Sequence, residues 1–221
     1  MTEQKDQAGN SGYFGKDYFS AGNYFHGYES YGGRGFWASV LRSIEKYVPD
    51  SKQRKFLDVG SAFGFLLKHE LGFQNVSVFG VDISKYALIK SKSVASGAGL
   101  VEVNIDKSVL PFPNNTFECV TALDVAEHLH DFDGAVKDFA RVLKSNGILI
   151  IGTPVTDTWE GKIWDKYDQD KSHVSKPTRE KLFNTLKQTG FEILESKYYF
   201  PLPWLKIPFP RTNMEVVARK I

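Results

Sequence analysis

Apolar and polar positions along this chain of 221 residues fall into short runs whose period switches between strand and helix. Runs at 56–60, 76–82, 100–104, 117–123 and 148–153 are strand-like, and the last is almost wholly apolar, as a parallel strand buried on both faces should be. Helical spacing appears between them at 63–71, 85–95, 132–144 and 178–189. In the third of these, Phe132, Val136, Phe139 and Leu143 share one face, and Asn146-Gly147 closes it. Ser84 and Thr178 stand at N-cap positions, the latter behind Pro177, and Gly190 ends the last helix. An earlier helix at 36–48, with Phe36, Val40, Leu41, Ile44 and Val48 on one side, stops at Pro49. Strands at 191–199 and 214–221 flank a proline-rich loop. This alternation predicts an α/β domain with a mostly parallel sheet covered by helices on both faces. No internal repeat is present.

The first 35 residues read differently. Residues 1–12 are polar and contain glycine, which predicts mobility. Tyr13, Phe14, Tyr18, Phe19, Tyr24, Phe25, Tyr28, Tyr31, Phe36 and Trp37 then crowd into one stretch, and interspersed glycines deny it a regular helix. Such a segment needs a surface to lie against. The chain therefore divides into a mobile, aromatic-rich lid at 1–35 and a domain at 36–221.

Composition narrows the partners. The formal charge is +2 and no Lys/Arg run is dense enough to track phosphates, so nucleic acid is not an expected substrate. A single cysteine, Cys119, lies in an apolar strand, which excludes a disulfide framework and points to a reducing compartment. The polar N-terminus has no apolar stretch of signal-peptide type, and no run approaches a membrane span. These readings predict a soluble, cytoplasmic monomer or homodimer without stable membrane insertion.

Candidate chemistry begins where Phe56-Leu-Asp-Val runs into the small-residue turn Gly60-Ser-Ala-Phe-Gly64. A second strand, Val76–Val81, ends on Asp82. A close-approach turn paired with a carboxylate about twenty residues on is how an α/β sheet holds an adenosine cofactor, the carboxylate taking the ribose hydroxyls. Asp82 could instead cap the next helix, but Ser84 fills that place better. A dinucleotide fingerprint started at Gly60 would want a small residue at position 65, where Phe65 stands, so a nicotinamide oxidoreductase is disfavoured.

Asp58–Gly64 resembles the first motif of class I S-adenosylmethionine-dependent methyltransferases, with Ala62 in place of a glycine and Phe63 in place of a smaller residue. Val81–Ser84 resembles the second motif, and Asp106–Phe112 followed by Asn114–Phe117 the third. Leu123-Asp-Val-Ala-Glu-His-Leu129 resembles the strand-four motif of the small-molecule subgroup that includes quinone-biosynthesis methyltransferases. Arg141–Gly147 and Ile148–Pro154 match the helix, turn and fifth strand. The resemblance implies a Rossmann-like, seven-stranded sheet of order 3-2-1-4-5-7-6 with strand seven antiparallel. It implies S-adenosyl-L-methionine as cofactor and S-adenosyl-L-homocysteine as product. The implied cofactor set is Asp58, Gly60, Ser61, Ala62 and Gly64 at the amino-acid end, Asp82 at the ribose, Asp106 at the adenine amino group, Ile83 and Leu123 on the adenine faces, and Asp124 beside them.

A sulfonium donor needs mainly alignment, but a hydroxyl acceptor also needs a base, and His128 and His173 are the candidates. Asp124, Glu127 and His128 would share one side of a helical turn and, with His173, could hold Mg²⁺ or Mn²⁺; this resembles the metal site of some small-molecule and RNA 2′-O-methyltransferases. A plain hydrogen-bonded Glu–His pair is the more economical expectation, so no metal ligand is assigned. The aromatic segment, the 155–176 insertion with Trp159, Trp164, Tyr167 and His173, and the loop Phe200–Arg211 would wall a small-molecule acceptor pocket. Trp204 and Phe209 raise docking on a membrane surface, without the basic amphipathic helix that should accompany it. The competing expectation is a non-catalytic adenosyl-binding or scaffold protein with the same fold.

Overall fold

The computed structural model describes residues 11–20, 27–202 and 204–221. The expected mobile residues 1–10, together with Tyr24 and Phe25, lie outside the described residues.

Strands β1 (Arg54–Val59), β2 (Val76–Asp82), β3 (Gly99–Glu102), β4 (Phe117–Leu123) and β5 (Leu143–Pro154) run parallel. The sheet continues with β6 (Phe191–Leu202), β7 (Leu205–Ile207) and β8 (Asn213–Lys220), in the order β3-β2-β1-β4-β5-β8-β6-β7. β8 is antiparallel to both β5 and β6. The expected order is thus observed, with β8 as strand seven and β6 as strand six, and with one short strand more. That extra strand arises because β6 runs three residues past its expected end at residue 199. Leu202 and Leu205 then pair, where a proline-rich loop was predicted.

Helices α1 (Arg34–Tyr47), α2 (Phe65–Glu70) and α3 (Lys85–Val94) follow one another over the sheet, α1 touching α2 and α2 touching α3. Phe36, Trp37, Val40, Leu41 and Ile44 of α1 pack there on Phe56, Cys119, Ile148 and Ile150. Helices α4 (Phe132–Val142) and α6 (Arg179–Gln188) pack against each other, and Phe132, Val136, Phe139, Leu182 and Leu186 fill a second core with Leu57, Val120, Leu149 and Val216. Alternate residues of β1, β4 and β5 therefore feed opposite cores, as the pleat requires. The N-caps are as expected, Ser84 accepting from the Ala87 N–H and Thr178 from that of Lys181. β5 starts at Leu143 rather than at residue 148, through a register shift against β4. A short helix α5 (Trp159–Tyr167), capped by Thr158, stands in the insertion and was not foreseen. No described helix is long and apolar enough to cross a membrane.

The aromatic segment does lie against the domain. Phe14, Tyr18 and Phe19 are buried with Ala62, Phe63 and Ala87. The Phe63 ring sits 4.7 Å from that of Phe19 and 5.1 Å from that of Tyr28, so the bulky residue of the turn points into this aromatic cluster. Tyr28–Gly32 form one 3₁₀ turn.

Candidate active site

A cavity of about 770 Å³ opens over the carboxyl ends of β1, β2, β4 and β5, at the switch in strand order where ligands of open α/β sheets bind. Asp58, Gly60, Ser61, Ala62, Asp82, Ile83, Asp106, Leu123, Asp124, His128 and His173 all line it. Of the residues expected at the site, only Gly64 is not among the lining. At φ 75° it starts α2, and a Cβ there would fall 2.2 Å from the Ser91 hydroxyl of α3. Its absent side chain serves helix packing rather than ligand approach.

The turn is built from backbone hydrogen bonds. Gly60 and Ser61 N–H both donate to the Val81 carbonyl, at 2.8 and 3.0 Å. Gly60 has φ 71°, and a Cβ there would meet Val125 at 2.4 Å, so no other residue fits. Ala62 holds φ 44° and donates its N–H to Asp82 Oδ2 at 2.8 Å. Asp82 Oδ1 accepts from Ser84 N–H at 2.7 Å. Asp82 is thus a clamp on the turn as well as a wall of the cavity, with one further lone pair on each oxygen for a ligand. Burial pushes its carboxyl up to about 6 in spite of these N–H donors. The Ser61 hydroxyl is buried toward Gly80 and has no hydrogen-bond partner among the described residues.

Beneath the turn, Asp58 accepts from the Thr121 hydroxyl at 2.7 Å, across the β1–β4 pair. Burial raises it to about 7, the Thr121 bond opposing and the Asp82 charge adding. Asp106 reaches the cavity too, but its oxygens are engaged by the His130 N–H at 2.7 Å and the His130 ring at 2.6 Å. The Asp131 N–H adds a bond at 3.2 Å. A ligand amino group would share a carboxylate already committed to shaping this loop. The donor set suits the implied cofactor: Asp58, Asp82, Asp106 and Asp124 surround a space that would receive a sulfonium, an ammonium, a ribose diol and an adenine amine, all cations or hydrogen-bond donors.

The other half of the cavity holds the acid–base groups. Asp124 leaves β4 at φ 53°, its carboxyl raised by burial and held down by Lys206 and His173. Glu127, His128 and His173 present ligating atoms all within 4.8 Å of one another. Glu127 accepts from Thr153 at 3.2 Å, and burial, reinforced by the Asp124 charge, pushes it up to about 8. His128 Nδ1 faces the Ser172 carbonyl at 3.2 Å; a carbonyl only accepts, so Nδ1 carries the hydrogen and Nε2 the free lone pair. Burial and then the neighbouring His173 push His128 down to about 4. His173 is the opposite case. Burial would lower it, but the hydrogen bond from its Nδ1 to Asp168 and the charges of Glu127, Asp168 and Asp170 raise it. Asp168 dominates at neutral pH, because Glu127 is itself protonated there. Asp168 is held far below the usual carboxylate range by His173 and Lys176, although its burial acts the other way.

Phe14, Tyr18, Phe19, Tyr28, Tyr31, Trp37, Trp164, Tyr167 and Phe200 form an aromatic wall of the cavity. Trp159, Trp204 and Phe209 lie outside it, exposed. Sequence reasoning missed Asp168 and Asp170, which orient His173, and Asn213, whose side chain donates to Asp124 at 3.4 Å. The spacing Asp168-x-Asp170-x-x-His173 was the available signal.

Comparison with known proteins agrees with this geometry. Residues 57–151 match the family model described as a methyltransferase domain. The cycloartenol-C-24-methyltransferase of Arabidopsis thaliana is 27 % identical over 189 residues, which cover 76 % of this chain and 54 % of that protein. The ubiquinone biosynthesis O-methyltransferase of Pelagibacter ubique is 29 % identical over 114 residues, covering 51 % and 46 %. The chain spans about half the length of the curated relatives it matches. The solved structure of an S-adenosylmethionine-dependent methyltransferase from Mesorhizobium loti shares the fold at a TM-score of 0.62 and 18 % identity, covering 84 % of this chain and 98 % of that one. The domain match takes in residues 57–151, and the strand order and the Gly60–Gly64 turn with Asp82 opposite agree with the fold of class I S-adenosylmethionine-dependent methyltransferases, which this chain resembles.

Proposed function

We propose that the chain binds S-adenosylmethionine across the ends of β1 and β2 and transfers its methyl group to a hydroxyl of a small, largely apolar acceptor. The observation that carries this reading is the His173–Asp168 pair: a histidine with raised basicity in the same cavity as the Asp82 clamp. The cofactor supplies an activated methyl on sulfur, so displacement depends on lining up nucleophile, carbon and sulfur. His173 takes the hydroxyl proton as the oxygen attacks, with Asp168 fixing its ring and stabilising the imidazolium. His128, neutral near pH 7, accepts a hydrogen bond from the acceptor through Nε2. The relatives' names cover both an O-methyltransferase and sterol C-24 enzymes. A poised base favours oxygen, because an alkene carbon has no proton to give before it attacks. Residues 11–20 act as the lid that keeps water from this site.

Calorimetry with S-adenosylhomocysteine should give micromolar affinity or better, and a methyl-transfer screen over quinols, sugars and amines should find turnover at a hydroxyl. Folded protein that binds no S-adenosylhomocysteine overturns the reading. Binding without turnover over the whole panel favours a non-catalytic adenosyl-binding protein instead.

A second reading rests on the proximity of Glu127, His128 and His173. His128 bonds outward through Nδ1 to Ser172, which leaves its Nε2 for a ligand, while His173 holds Asp168 at Nδ1 and faces Asp170 at 3.7 Å through Nε2. A divalent cation there would orient an acceptor's hydroxyls and would have to displace the Glu127 proton, so its affinity would rise with pH. Full activity in excess EDTA, with no Mn²⁺ binding by calorimetry, would remove this reading.

A further inference from the structure

Five large apolar side chains stand exposed around the mouth of the cavity, and two features of their setting say what covers them. Trp159 is 61 % exposed, Trp164 54 % and Tyr167 76 %, all on α5, which buries only Glu160 and Gly161. Trp204 is 57 % exposed and Phe209 58 %, on the turn and return of the β6–β7 hairpin. The two elements form one surface. The Trp164 ring meets Phe200 edge-on at 5.2 Å, Arg211 pairs with Glu160 at 3.0 Å, and Thr158 donates to the Arg211 carbonyl at 2.6 Å. The first setting feature is continuity with the cavity, since Trp164, Tyr167, Phe200 and Leu202 are both rim and lining.

The second is charge. Around this rim Glu160 is taken by Arg211, Asp165 by Lys176, and Asp157 accepts from the Tyr198 hydroxyl. Lys162 and Lys166 on α5, Lys171 after it, and Arg34 beside the hairpin form no ion pair among the described residues. Arg34 is local because a Cβ on its neighbour Gly35 would fall 2.3 Å from the Trp204 carbonyl. Tryptophan and tyrosine ringed by unpaired cations have the composition of a surface that sits at a bilayer interface, rings among the headgroups and cations against lipid phosphates. α5 itself is charge-balanced, Lys162 and Lys166 against Glu160 and Asp165, and its face is left positive because Arg211 and Lys176 neutralise the two acids.

We propose that α5 and the β6–β7 hairpin dock reversibly on an anionic lipid surface, setting the cavity mouth against the bilayer interface. An apolar acceptor would then pass from lipid to the aromatic wall without crossing water. The docking does not depend on methyl transfer, and its test reads neither activity nor cofactor.

The test is co-sedimentation of the full chain with vesicles of phosphatidylcholine alone and of phosphatidylcholine mixed with phosphatidylglycerol. Binding to the mixed vesicles is expected, weakened by salt and much lower on phosphatidylcholine alone. Lys162→Gln and Lys166→Gln should each weaken binding about fivefold. The pair Trp204→Ala with Phe209→Ala should weaken it about tenfold or more. None of these four residues lines the cavity, and an unchanged melting temperature shows that each variant is folded. Failure of the wild-type chain to sediment with either vesicle overturns the proposal and assigns the face to a protein partner. Equal binding by all variants overturns it too. So does concentration-dependent self-association that Trp204→Ala abolishes in a chain that ignores vesicles, since the face then belongs to a second copy.

Discussion

Asp82 Oδ2 accepts the Ala62 backbone N–H at 2.8 Å, so the carboxylate expected to face the ribose also holds the turn that the ribose rests on. Asp82→Ala removes both functions. It should cost about 2–4 kcal/mol of S-adenosylhomocysteine affinity, roughly 30- to 1,000-fold, read by calorimetry. Its carboxyl titrates at about 6, raised by burial, so wild-type affinity should weaken as pH falls through that value and the variant's should not. An affinity within twofold of wild type would show that the cofactor lies elsewhere.

Glu70 is wholly buried on α2, and neither carboxyl oxygen has a hydrogen-bond partner among the described residues. Burial first, then the Asp58 charge, raises its carboxyl well above the usual value. A raised carboxyl binds its proton more tightly folded than unfolded, so its favourable contribution is complete below the unfolded value and is lost as pH rises. Stability should therefore decline as pH rises above the ordinary carboxylate value of about 4. Glu70→Met should flatten that decline and add about 1–3 kcal/mol at pH 8 in urea unfolding. A loss of stability there would mean that the carboxyl makes a compensating contact.

The base assignment separates the two histidines. His173→Ala should lower turnover about 10²- to 10⁴-fold and leave S-adenosylhomocysteine affinity unchanged. With His173 as base, kcat/KM rises with pH through a value above 6.5, and Asp168→Asn moves that rise to lower pH. If His128 were the base, the profile would be flat from just above about 4, where that ring titrates.

Phe14 links lid to site: its carbonyl accepts from the Ser84 hydroxyl at 2.5 Å and its ring stands edge-on to His128 at 5.6 Å. Phe14→Ala should free residues 11–20 without unfolding the sheet. Amide exchange should lose its protection there and keep it in β1 and β4, while KM for the acceptor rises. Protection lost throughout would make the segment part of the core.

Local chemistry was what the sequence disclosed. The turn at Gly60, Asp82 at the end of its strand and the Ser84 cap are short-range patterns, and the structure has them in place. Gly64 packs against Ser91 on another helix, and spacing carries no record of that contact. Asp106 looked free because His130 folds back on it from beyond β4. Glu70 gave no sign of burial, since a Glu on a short helix ordinarily faces water. α5 carried a legible signal, Trp159, Ile163 and Tyr167 at i, i+4 and i+8 behind the Thr158 cap, but that apolar face is exposed, so the aromatics read as pocket wall rather than as a helix.

The antiparallel β8, inserted between β5 and β6, makes the sheet's assembly depend on a late arrival. On a ribosome, β5 emerges some sixty residues before residues 213–220, as the numbering of the two strands shows, and in the interval β6 can pair only over its last three residues, with β7. Until that wedge is seated, a long apolar strand edge stays open to neighbouring chains, so slow synthesis or clipping near Arg211 should favour aggregation over partial folding.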